Sequence, residues 1–103
     1  MIKNSYFKML IKEFSDKTIL DLEDNLRDLE EGGNQLINYK GKSYDIGYDY
    51  YTPSDKIAVY EYEDDFLIQK GPDYYFESWE DLFENFKIDG VSFKQIYLFD
   101  YDK

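Results

Sequence analysis

The hydrophobic positions change their spacing several times along the chain, and each change marks an element. In residues 5–14, SYFKMLIKEF, Phe7, Leu10, Ile11 and Phe14 recur at i, i+3, i+4 and i+7, which is one face of a helix. Asn4 or Ser5 stands where the first backbone N–H groups need a cap. A second helix is predicted over 18–31, with Ile19, Leu22, Leu26 and Leu29 along its apolar face. Thr18 and Asp21 have the spacing of a capping box, and Gly32-Gly33 is a strong stop. The other face carries Glu23, Asp24, Arg27, Asp28 and Glu31. Arg27 is placed to pair with Glu23 or Glu31 four residues away.

After the double glycine the period becomes alternating. Gln35 to Tyr39 reads as a strand, Lys40-Gly41-Lys42 as a turn, and Ser43 to Tyr50 as the returning strand. On the return Tyr44, Ile46, Tyr48 and Tyr50 share one face, and Asp45 and Asp49 share the other. Gly47 between those acids predicts a bulge or a close backbone approach. Residues 52–55 form a loop by composition. Ile57-Ala58-Val59-Tyr60 reads as a central strand covered on both faces, Asp64-Asp65 as a turn, and Phe66 to Gln69 as the next strand.

Gly71-Pro72-Asp73 breaks that strand, and Tyr74-Tyr75-Phe76 is a short extended segment. Ser78 and Asp81 form an acidic capping box for a helix over 78–87, whose core face is Trp79, Leu82, Phe83 and Phe86. The tail turns at Asp89-Gly90. Phe93, Ile96 and Tyr97 suit one or two helical turns, while residues 98–101 fit a last strand as well. The pattern therefore predicts one α+β domain over residues 1–103. It has two N-terminal helices, an antiparallel sheet of about four strands, one amphipathic helix (78–87) packed on the sheet, and a short C-terminal helix or strand.

Composition narrows the chemistry. A chain of 103 residues has room for one hydrophobic core, and 43% hydrophobic residues can fill it. Cysteine is absent, so disulfides, thiolate metal sites and cysteine nucleophiles are excluded. Histidine is absent too, which removes the commonest general base and the commonest transition-metal ligand. Gly32-Gly33 is followed by neither a lysine nor a helix start, so it is no phosphate-cradling loop. A paired-carboxylate site for glycoside hydrolysis has no specific signal among twenty-three acids. Residues 61–65, EYEDD, hold hard oxygen ligands suited to calcium, but the twelve-residue loop with its central glycine is missing. The expectation is a protein that is not an enzyme and uses no metal or cofactor. No apolar run is long enough to span a bilayer, and Met1 leads into no signal-peptide pattern, so a cytoplasmic location is expected.

Charge supplies the sharpest signal. The formal net charge is −11, and residues 44–103 carry fifteen acids against five lysines. Such a chain repels nucleic acid and anionic membranes, so its expected partners are basic proteins. Glu61, Glu63 and Asp65 alternate, with Asp64 between them. On one strand alternate carboxylates stand about 6.6 Å apart, similar to successive phosphates of a nucleic-acid strand. Glu77, Glu80, Asp81 and Glu84 form a stripe offset from the Trp79 face, and residues 71–86 contain no base. With Asp45 and Asp49 these are the candidate partner-binding acids. Tyr48 and Tyr62 beside them, with Tyr50 and Tyr60, offer contact area and stacking on arginine, against the plainer role of sheet packing. The expected mechanism is occlusion of the basic groove of a nucleic-acid-binding protein. The alternatives are an immunity or antitoxin-like protein that neutralises a basic toxin, and a domain whose acidity only keeps it dissolved.

Residues 78–96, SWEDLFENF followed by KIDGVSFKQI, resemble small proteins of AT-rich Gram-positive bacteria, their phages and mobile elements. In size, acidity and lack of catalytic residues the chain is similar to phage-encoded anti-CRISPR proteins. That resemblance implies an anti-defence inhibitor of a Cas nuclease, acting in the host cytoplasm by imitating nucleic acid at the PAM-reading or guide-binding surface. It rests on character, and transfers no individual residue.

Overall fold

A computed structural model describes residues 2–14, 22–48, 56–63, 68–69 and 73–100. Helix α1 (Ser5–Phe14) begins where Asn4 caps it: the Phe7 N–H donates to Asn4 Oδ1 at 3.0 Å. Of the two residues able to cap this helix, Asn4 does so. Helix α2 is described over Leu22–Glu30, while Thr18, Ile19 and Asp21 lie outside the described residues. Its end is a Schellman motif. Gly33 N–H donates to the Asp28 carbonyl at 2.8 Å and Gly32 N–H to the Leu29 carbonyl at 3.2 Å, with Gly32 at φ 100°. Arg27 pairs with Asp24, three residues away, and not with Glu23 or Glu31 as its spacing also allowed.

The antiparallel sheet follows. Strand β1 (Gln35–Tyr39) pairs with β2 (Lys42–Tyr48), and β2 with β3 (Ile57–Glu63). The short strands β4 (Ile68–Gln69) and β5 (Tyr74–Phe76) both pair with β3. Five strands therefore occupy four positions across the sheet, as the alternation predicted. The β1–β2 turn holds only Lys40 and Gly41, both at positive φ (51° and 78°), a conformation that matches the twist of a tight hairpin. Gly47 lies in unbroken register opposite Ala58, so there is no bulge. It is instead a close approach: a Cβ there would stand 2.7 Å from Asn34 Oδ1.

Helix α3 (Trp79–Asn85) starts on Ser78 and stops earlier than the predicted 78–87. Phe86 caps it, and Lys87–Ile88 (β6) then pair with Val91–Ser92 (β7) across a turn with Asp89 and Gly90 at φ 52° and 81°. The turn was visible in the sequence, but the strands on either side hold two residues each, too few for alternation to register. The open question in the tail resolves to helix: α4 (Phe93–Gln95) runs into a single π-helical turn, Ile96–Asp100.

One core joins these elements. Ile37, Tyr44, Ile46, Ile57 and Val59 enter it from the sheet, Phe7 and Leu10 from α1, Leu22, Leu26 and Leu29 from α2, and Trp79, Leu82 and Phe83 from α3. Phe83 is its hub, with the rings of Tyr6, Phe7, Phe93 and Tyr97 all within 6.0 Å, centroid to centroid. Burying one such side chain contributes about 1.5–3 kcal/mol. Ala58 is buried on the opposite face of β3, where Tyr60 and Tyr62 are only half-buried, so the second face of the central strand is covered in part.

Candidate functional site

The structure sorts the candidate acids into those it uses internally and those it leaves open. Strand β3 shows the first kind. Successive side chains of a strand alternate between faces, so Glu61 shares the face of Ile57 and Val59, which is the core face. Opposite it in register is buried Tyr44, whose hydroxyl feels the Glu61 carboxylate. Burial foremost, and then the Glu61 charge, raises the Tyr44 hydroxyl well above the usual phenol range. Lys42 Nζ stands 3.9 Å from the same carboxylate, which is only 15% exposed. Glu61 is thus a partly buried, paired group and not one point of an open row. The backbone of Glu63 continues the strand opposite Ile68, while Asp49, Asp64 and Asp65 lie outside the described residues.

Asp45 sits on the opposite face of β2, half-buried, where it accepts a hydrogen bond from Asn34 Nδ2 at 3.1 Å. Loss of solvent raises its carboxyl above the ordinary range, against the opposing pull of Asn34. Tyr48 belongs to the packing. Its ring meets Trp79 edge-on at 5.4 Å, and its hydroxyl accepts the indole N–H at 3.2 Å. Tyr62 is half-buried on β3, between Ser43 and Gln69 in register.

Helix α3 holds both kinds of acid. Asp81 makes half of the expected capping box: its N–H donates to Ser78 Oγ at 3.1 Å, while its carboxylate accepts from the Glu77 N–H, one residue before the cap, at 3.4 Å and from Asn85 Nδ2 at 2.8 Å. Glu77 pairs with Lys56 at 3.3 Å, and Glu84 with Lys94 at 3.3 Å. The like-charge repulsion expected within residues 71–86 is therefore relieved by two lysines from outside that stretch. Glu84 also accepts the Tyr6 hydroxyl, and this bond, with Lys94, holds its carboxyl below the ordinary range. Burial first, and then Glu84, raises Tyr6 in turn. Glu80 is exposed and has no hydrogen bond or ion pair among the described residues.

These residues surround a cleft of about 380 Å³ lined by Tyr6, Met9, Glu13, Glu80, Glu84 and Lys94. Three carboxylates from α1 and α3 face it, with one lysine already held by Glu84. Met9, 37% exposed, adds an apolar contact. Such a cleft disfavours anions and suits a guanidinium or ammonium group whose alkyl stem rests on Met9. Among the described residues no three acids are grouped as metal ligands, and no helix is long and apolar enough to cross a membrane. The chain matches no protein-family model, no curated protein and no solved structure. The site must therefore be read from its own chemistry.

Of the sequence-predicted residues, the cleft brings together Glu80 and Glu84. Glu77 lines a different cleft, of about 460 Å³, with Asn4, Tyr48 and Trp79. Glu13 and Met9 belong to no acidic run or motif in the sequence. The available signal was their spacing: Tyr6, Met9 and Glu13 at i, i+3 and i+7 lie along one edge of α1, beside the core stripe.

Proposed function

We propose that this protein acts by binding rather than by turnover, as an inhibitor that presents its acidic surface to a basic, nucleic-acid-binding effector of the Cas-nuclease kind in a bacterial cytoplasm. The observation that carries this reading is the α1–α3 cleft, where Glu13, Glu80 and Glu84 converge around a single paired lysine. A surface of this sign attracts lysine and arginine side chains at long range, and the attraction fades as salt rises. The acidic excess of residues 44–103 extends the same field beyond the cleft. An anti-CRISPR or other anti-defence role would follow from occluding the groove in which the effector holds guide or target. Immunity to a basic toxin draws on the same electrostatics and differs only in the partner.

The test is capture of partners on the tagged protein from the lysate of a CRISPR-bearing host, at low and at high salt. A basic nuclease that is recovered at low salt, released by high salt and displaced by its guide RNA is the expected result. The Glu13→Gln/Glu80→Gln variant should then bind that nuclease at least about tenfold more weakly. A small basic toxin would move the assignment to immunity. Recovery of no basic protein, or unchanged affinity of the variant, would refute binding through this cleft.

A further inference from the structure

The two edges of the sheet differ. The β3 side ends in β4 and β5, two and three residues long and set in registers that differ by two residues. Asp73 and Glu77 flank β5. Short, interrupted and charged edges of this kind resist pairing with another chain. The β1 edge has none of these features. It is five residues long, QLINY, without charge or proline, and it lies within residues 32–39, the longest run in the chain free of charged residues.

The turn geometry fixes which backbone groups face outward. In a two-residue hairpin the residues flanking the turn, Tyr39 and Lys42, exchange hydrogen bonds, and bonded pairs then alternate along the ladder. Ile37 and Gln35 thus bond to β2, while the N–H and C=O of Leu36 and Asn38 point away from the sheet. Neither backbone has a hydrogen-bond partner among the described residues. Leu36 is 61% exposed, the most exposed large apolar side chain described.

We infer that β1 is a homodimerisation edge, pairing antiparallel with β1 of a second copy about a two-fold axis at Ile37. This register sets Leu36 opposite Asn38 of the second copy, and Asn38 opposite its Leu36. All four outward N–H groups and all four outward carbonyls of the two strands are then within reach of one another. The same register brings Lys40 beside Asn34 of the other copy. Next to Asn34 is Gly33, on which the Asp28 carboxylate lies (a Cβ at Gly33 would be 2.5 Å from its oxygen). Each end of the paired strands therefore sets a lysine near an acid. A second copy suits this edge better than a basic partner does, because the edge itself is uncharged and its two ends complement each other. The symmetry is that of an isologous interface. Its area is small, so the dimer is of the weak class, and screening the charge of −11 per chain strengthens it.

The test is sedimentation velocity on the full chain over a wide concentration range, at low and at high salt. The expected result is a monomer–dimer equilibrium that shifts toward dimer as salt rises. Leu36→Lys should weaken it at least about tenfold with an unchanged circular dichroism spectrum, since Leu36 is exposed and its outward N–H takes no part in the β1–β2 ladder. The chain has no cysteine of its own, so introduced thiols report the register. A mixture of Leu36→Cys and Asn38→Cys chains should cross-link faster than either alone. A monomer at every concentration and salt, a dimer indifferent to Leu36→Lys, or faster cross-linking of either single variant would each overturn the proposal.

Discussion

Strand β3 and helix α3 both carry acids at regular spacing, yet the fold treats the two runs in opposite ways. Glu61 points with Ile57 and Val59 toward the core, where it lies beside Tyr44 and Lys42. Glu80 points into solvent, unpaired among the described residues, at the rim of the α1–α3 cleft. Periodicity decides which side chains share a side. What else lies on that side decides whether a carboxylate is structural or available. The largest expected effect comes from removing the frame that sets α3. Phe83→Ala deletes the ring at the centre of the aromatic cluster and should cost about 3–5 kcal/mol in urea unfolding, with partner binding lost alongside stability.

The next substitution separates the two acidic runs. Glu61→Ala removes the carboxylate beside the buried Tyr44 hydroxyl and the partner of Lys42, and should destabilise the protein by about 1–3 kcal/mol. Glu80→Gln should change stability by less than about 0.5 kcal/mol while weakening capture of a basic partner. Thermal unfolding and binding measured on both variants provide the check. Equal stability losses at the two positions would show that the distinction drawn between them is wrong.

The fold was legible wherever an element was long enough to show its period. Helix α1, the β1–β2 hairpin and the α3 N-cap follow directly from the spacing of Phe7 and Leu10, of Tyr44 and Ile46, and of Ser78 and Asp81. The β6–β7 hairpin was not, because two residues per strand leave no alternation to read. The side taken by Glu61 was implicit in the odd numbering of Ile57, Val59 and Glu61. It was obscured because Ala58, on the even face, is also apolar, which makes the strand look symmetric. The cleft was half legible. Glu80 and Glu84 stand out by charge, but the contribution of Glu13 depends on how α1 packs against α3, and that is a tertiary contact. For the same reason the pairing of Glu84 with Tyr6, seventy-eight residues away, leaves no local pattern.

That distant pair yields a smaller and pH-dependent effect. The Tyr6 hydroxyl lowers the Glu84 carboxyl in the folded state. The stability it contributes is therefore present above the unfolded carboxylate value and is lost as pH falls through the lower, folded value. Tyr6→Phe removes that bond. The variant should lie below the wild type at neutral pH, by an amount that shrinks as the pH drops into the acid limb. Unfolding curves of the two proteins from pH 7 to pH 3 that stay parallel would place the Glu84 shift elsewhere.

Asp45 supplies the opposite sign and the smallest effect. Partial burial raises its carboxyl, so the folded state disfavours its charge, and stability is lost as pH rises through the raised value. Asn34 donates to it at 3.1 Å, which recovers part of that loss without reversing the direction. Asp45→Asn keeps the shape and an acceptor oxygen for Asn34 while removing the charge. It should therefore leave neutral-pH stability equal or slightly raised, with the difference vanishing below the unfolded carboxylate value. Glu84 and Asp45 thus bend the pH profile in opposite directions, one through an added donor and the other through lost water. A destabilised Asp45→Asn protein at neutral pH would mean that Asn34 outweighs desolvation, and would move Asp45 among the carboxylates that the fold needs in charged form.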